Sequence, residues 1–210
     1  MATYLNAYKG VRRIYYAEIV NIISAFLIVI TAILGLVSQT DTVLFVSGII
    51  ALIAIILLIF AFVMQMLGLE QAGKDQEAFK IAFWVVVTGI VLGIVASILQ
   101  AMDNEAIELL GDVASALTSL ISILVVMFII TGISALVSDP YFASKGKSIC
   151  LTMAIVYAIT FTLNILSSLC TNEDDTIRIV FGALGLVAAI VDLIVYINIF
   201  LYYKKALTLL

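Results

Sequence analysis

The sequence predicts an all-α fold, a polytopic bundle of six transmembrane helices, and three observations carry that prediction. The first is composition: 65% of the 210 residues are hydrophobic, only 11% are charged, and the mean hydropathy is +1.29. Soluble domains run at roughly 45–50% apolar and about 25% charged, and a chain of this length has too little interior to hide the excess. The second is that apolar runs of about 20 residues, long enough to cross a bilayer as helices, recur six times, near 17–37, 43–68, 80–101, 109–137, 149–170 and 178–202. The third is that the connections are short, so neighbouring spans form antiparallel hairpins and residues 1–210 make one integral membrane domain.

The absent residues exclude whole classes of chemistry. With no histidine in the chain, a Ser-His-Asp triad, a Cys-His dyad and every His-containing metal site are ruled out. The net charge is -4 with no basic face, so nucleic acid is not an expected partner. Cys150 and Cys170 fall on one apolar run, roughly 30 Å apart if helical, and cannot pair. No cofactor, no metal and no catalytic residue is expected.

Before the first span lies a 16-residue polar-aromatic stretch without a small-residue cleavage site, so this span is expected to be retained and not removed as a signal peptide. Tyr4, Tyr8, Val11 and Tyr15 follow helical spacing there. Residues 2–16 are therefore expected to form an interfacial helix, with Lys9, Arg12 and Arg13 toward anionic lipid. Nine of the ten basic residues fall on one side of the predicted spans: Lys9, Arg12, Arg13, Lys74, Lys80, Lys145, Lys147, Lys204 and Lys205. The opposite loops hold Arg178 among eight acidic residues. The positive-inside rule puts both termini in the cytoplasm, in a plasma membrane. Tyr4, Tyr8, Tyr15, Tyr16, Phe79, Trp84, Tyr141, Phe142, Tyr202 and Tyr203 would form an aromatic belt at the inner interface.

Three hairpin units, near 8–70, 71–141 and 142–205, resemble tandem repeats. Asp41-Thr42-Val43-Leu44-Phe45-Val46-Ser47-Gly48 and Asp175-Thr176-Ile177-Arg178-Ile179-Val180-Phe181-Gly182 share four of eight residues, and Asn104 with Gly111 keeps the same spacing. Units of one orientation can be related by a pseudo-threefold axis along the membrane normal. Asp41, Asn104 and Asp175 stand where a side-chain oxygen caps the following helix.

Small and polar residues fall on stripes, the mark of close helix packing in a bilayer. Span one has Glu18, Asn21, Ala25, Ile28, Ala32 and Gly35, and span two Ser47, Ala51, Ala54, Leu58, Ala61, Gln65 and Gly68. Spans three and four contribute Gly89, Gly93 and Ser97, and Gly111, Ser115, Thr118 and Ser122. Span six carries Gly182, Gly185, Ala189, Asp192 and Tyr196. Asp192 is the exception, a carboxyl near the bilayer midplane, where ionisable groups are costly and mark functional positions. It is expected either to hydrogen-bond a neighbour, to bind or relay a cation or proton, or to hold the cationic group of a substrate. Tyr196, one turn on, and Tyr157, Thr160 and Asn164 on span five are the polar groups at comparable depth.

A transport or substrate-capture component with a polar midplane site of Asp192, Tyr196, Asn164 and Tyr157, taking a small solute or cation, is the first functional expectation. The second is a non-catalytic accessory or scaffold subunit that contacts a membrane-protein partner, or another copy of itself, through small-residue faces. An enzyme is not expected, because Asp192 alone is not the carboxylate pair that intramembrane aspartyl chemistry requires.

Overall fold

The computed structural model describes residues 4–37, 40–101, 105–170 and 175–210, with side chains except at 36, 37, 41, 105–109, 112, 115, 164–170, 175–183, 186 and 189. Among the described residues there are six α-helices and no strands: α1 (Leu5–Val37), α2 (Asp41–Ala72), α3 (Glu77–Gln100), α4 (Glu105–Leu136), α5 (Pro140–Cys170) and α6 (Asp175–Leu209). Five of them, α1 to α5, hold stretches long and apolar enough to cross a membrane. Their outward faces carry large apolar side chains such as Phe45 at 71% and Phe26 at 67% exposure, a surface suited to lipid and not to water.

At the ends that carry most of the basic residues, α1, α2, α3, α5 and α6 overrun the predicted spans. Residues 5–16 are not a separate surface helix but the first turns of an unbroken 33-residue α1, about 50 Å long. Its packed face is Ala7, Val11, Ile14 and Ala17, all fully buried, while Tyr4 and Tyr16 lie exposed. The inner aromatic belt divides likewise. Trp84 and Tyr141 are exposed, but Phe79, Phe142, Tyr202 and Tyr203 are buried; Gly132 leaves room for the Phe79 ring and Gly146 for Tyr202. The fifth helix begins at Pro140, nine residues before its predicted start. Asp139 accepts bonds from the Tyr141 and Phe142 N–H groups at 2.9 and 3.3 Å, and proline is suited to the first helical position, where no N–H is needed. At α2 the N-cap is Thr40, without a side-chain capping bond. The side chains of Asp41, Asn104 and Asp175, the expected caps, lie outside the described residues.

The chain forms two compact units, Met1–Gln76 with Leu210, and Glu77–Leu209. In the first, α1 and α2 pack along each other. The crossing is tight enough that a Cβ at Gly10 would stand 2.5 Å from the Gly68 carbonyl and 2.6 Å from the Ala72 Cβ. From that contact small residues recur every seven positions on both helices. Gly10, Ala17 and Ser24 are buried on α1, with Thr31 half-buried beyond them; Ser47, Ala54, Ala61 and Gly68 are buried on α2. Running antiparallel from Gly10 opposite Gly68, this register sets Ala17 against Ala61, Ser24 against Ala54 and Thr31 against Ser47. A seven-residue period is a left-handed coiled-coil seam, and side chains this small let the backbones touch. The stripe expected on α1 is therefore displaced by one position: Ala25 and Ala32 are exposed.

In the second unit α3 and α4 repeat the device, with Ala82, Gly89 and Ala96 buried at sevens on α3 and, on α4, Gly111, Val125 and Gly132 buried in the same seven-residue register with Thr118 half-buried between the first two. Gly89 faces Ile121, Gly111 faces Gln100 and Ala96, and Gly132 seats the ring of Phe79. By contrast, α5 meets α6 and α4 over shorter stretches.

One carboxylate ties the first unit together. Asp75, in the turn after α2, accepts bonds from the Asn6 side-chain amide at 2.9 Å and the Ala7 N–H at 2.7 Å. It thereby caps α1 from a distant part of the chain, supplying acceptors and negative charge at a helix N-terminus. Desolvation pushes the Asp75 carboxyl up, but the donors of Asn6 and Ala7 together outweigh it and hold its pKa below the ordinary value. The stabilisation is thus fully present above the unfolded-state pKa, about 3.9, and is lost as pH falls through the lower folded-state value. Asp75→Ala is expected to cost about 1 kcal/mol at neutral pH, read as a lower thermal unfolding midpoint in detergent. The gap to wild type should stay constant from about pH 5 to 8 and narrow as pH falls below the ordinary carboxyl value of about 3.9; a gap that widens on acidification contradicts the cap.

Candidate functional site

The C-terminal ends of α4 and α6 and the N-terminal end of α5 are pinned by one cluster. The rings of Phe142 and Tyr202 stack with centroids 4.2 Å apart and planes 8° from parallel. The Tyr202 and Ser134 hydroxyls share a hydrogen bond of 2.7 Å. Both oxygens come within 2.7 Å of where a Cβ at Gly146 would stand, so α5 needs glycine there.

Further into the span the same three helices part. Seven residues on from Gly146 is Met153, and seven back from Tyr202 is Val195, bulkier than the glycine, alanine and serine of the α1/α2 seam. A cleft of about 350 Å³ opens there, its apolar walls including Val126, Met153, Val156, Val195 and Ile199, its polar groups Ser122, Tyr157, Thr160, Asp192 and Tyr196. The structure therefore brings Asp192, Tyr196 and Tyr157 to one cleft. The side chain of Asn164 lies outside the described residues.

Most hydroxyls in the apolar stretches are satisfied within their own helix. Ser24, Thr31, Ser97, Thr118, Ser122 and Thr162 each donate to the carbonyl four residues back, at 2.8–3.2 Å, and the Asn198 amide does the same at 2.9 Å. This is how a polar side chain is accommodated where no water can bond it. Tyr157 reaches across to α4, its hydroxyl donating to the Ala116 carbonyl at 3.2 Å, and its ring stacks on Phe161 with centroids 5.9 Å apart.

Two cleft groups break that pattern. The Thr160 hydroxyl is sealed from solvent yet has no hydrogen-bond partner among the described residues. Asp192 is the middle residue of α6 and is exposed to the cleft. No hydrogen bond or ion pair joins it to a described residue, Tyr196 included. The cleft thus brings together a carboxyl and a hydroxyl that have no partner among the described residues, two phenol rings and apolar walls. Sequence reasoning grouped Asp192, Tyr157 and Tyr196 but missed Ser122 and the apolar wall of α4, for which depth along the span was the available signal.

No protein family, curated protein or solved structure matches the chain.

The two hydroxyls should respond oppositely to removal. Tyr157→Phe deletes an interhelical bond and is expected to destabilise by about 0.6 kcal/mol, typical of such bonds in membranes. Thr160→Val removes a buried hydroxyl that bonds nothing and is expected to be neutral or stabilising. Unfolding in mixed micelles measures both, and a larger loss for Thr160→Val contradicts the assignment.

Proposed function

We propose that the protein is a small transport or substrate-capture component, with Asp192 at the centre of its site. In this reading the chain crosses a plasma membrane six times with both termini cytoplasmic. Three hairpin repeats lie about a pseudo-threefold axis, and the protein performs no catalysis. The inward bias of lysine and arginine supports the orientation, and the internal match between 41–48 and 175–182 supports the repeat. The observation that carries the function is Asp192 itself, a mid-helix carboxyl in a cleft with no partner among the described residues. Such a group is retained at a cost unless something binds it.

A scaffold or accessory role has one observation in its favour. Gly35, Gly48 and Gly185 have no neighbouring atom within 4 Å of the space a side chain would fill, and Ala25 and Ala32 are exposed. Small-residue faces of this kind accept a partner helix or a second copy.

Asp192→Asn separates the two readings. In proteoliposomes it should lower cation- or proton-coupled flux by roughly tenfold or more, the worth of one charged contact, with expression and thermal stability unchanged. Unchanged flux together with a co-purifying membrane protein assigns the scaffold role instead.

A further inference from the structure

Resting on the reading of Asp192 as a binding site, we infer that the cleft takes a lipophilic organic ammonium: one protonated or quaternary nitrogen on an apolar, preferably aromatic, body. The space is the first reason. About 350 Å³ lies within the range of roughly 300–1,000 Å³ typical of small-molecule sites and far exceeds what a proton or a bare metal ion needs.

Coordination chemistry is the second. A calcium-like cation takes about six to eight oxygens in a compact shell. Here the described lining supplies a single carboxyl, and no group of three or more histidine, cysteine, aspartate or glutamate side chains gathers among the described residues. The Ser122 and Tyr157 hydroxyls already donate to the Thr118 and Ala116 carbonyls.

The walls are the third. Met153, Val156, Val195 and Ile199 offer nothing to a hydrated ion but suit a hydrocarbon body, and the Tyr157 and Tyr196 rings can face a positive nitrogen. A ligand of this class would bring to Asp192 the counter-charge that the described lining lacks. The Thr160 oxygen, turned about its Cα–Cβ bond, would accept an ammonium N–H.

The test is calorimetric titration of the full chain in lipid nanodiscs with phenethylamine, benzyltrimethylammonium and phenethyl alcohol, at neutral pH. Both cations should bind, and the alcohol, which keeps the body without the charge, should bind roughly tenfold or more weakly; this comparison needs no variant. Asp192→Asn should erase the preference for the cations, and excess sodium or calcium should not displace them. Equal binding of amine and alcohol, or binding of neither cation, overturns the inference. If Asp192-dependent binding of sodium or calcium appears instead, the ligand class fails while the site stands. If nothing binds in an Asp192-dependent way, both fail.

Discussion

The fold depends on how closely two backbones can approach inside a bilayer. Between helices surrounded by lipid there is no hydrophobic drive to associate, so packing and interhelical bonds must hold them. The α1/α2 seam meets that constraint with Gly10, Ala17, Ser24 and Thr31 against Gly68, Ala61, Ala54 and Ser47, all at seven-residue spacing. Because the hydroxyls in the seam bond back to Val20, Leu27 and Leu44, they add no unsatisfied polar group. Asp75 then fixes the end of the hairpin where α1 begins by capping that helix. Packing and electrostatics meet there, at the overhanging first turns of α1 that join the hairpin.

What the α1/α2 seam closes, the last three helices leave open. The stacked pair Phe142 and Tyr202, with the Ser134 bond, pins one end of α4, α5 and α6. Beyond it, Met153 and Val195 stand where small residues would draw the helices together, and the space they leave is the cleft that Asp192 enters. Function in this account follows from an interruption of the packing rule. The same interruption explains why Thr160 and Asp192 lack the bonds that other polar side chains find along the apolar helices.

Much of this was legible in the sequence. Long apolar runs separated by short polar breaks define helices whatever their neighbours, and the stripe on α2 followed directly from glycine, alanine and serine spacing; on α3 only Gly89 of the expected stripe is buried, and the seam runs through Ala82 and Ala96 while Ser97 is exposed. On α1 the stripe was misplaced because Glu18 and Asn21 are conspicuous polar residues, whereas the packed face runs through Ala17 and Ser24 one position aside. Only the partner helix reveals which of two adjacent stripes is used. That residues 5–16 continue unbroken into α1 was not legible either: the tyrosines drew attention, but Ala7, Val11 and Ile14 form the buried face, joined by Gly10 against Gly68. The cleft was partly legible. A midplane aspartate stands out in any apolar run, while the absence of a bond to Tyr196 depends on side-chain directions that spacing does not specify.

The central claim is that small residues hold α1 against α2 while larger ones hold α5 away from α6 beside Asp192. Disulfide trapping, with Cys150 and Cys170 replaced by serine, tests it most directly. A Ser24→Cys, Ala54→Cys pair should oxidise to a direct disulfide readily, whereas a Thr160→Cys, Asp192→Cys pair should join only through a long bifunctional linker. Direct trapping of the second pair with none of the first would contradict the account.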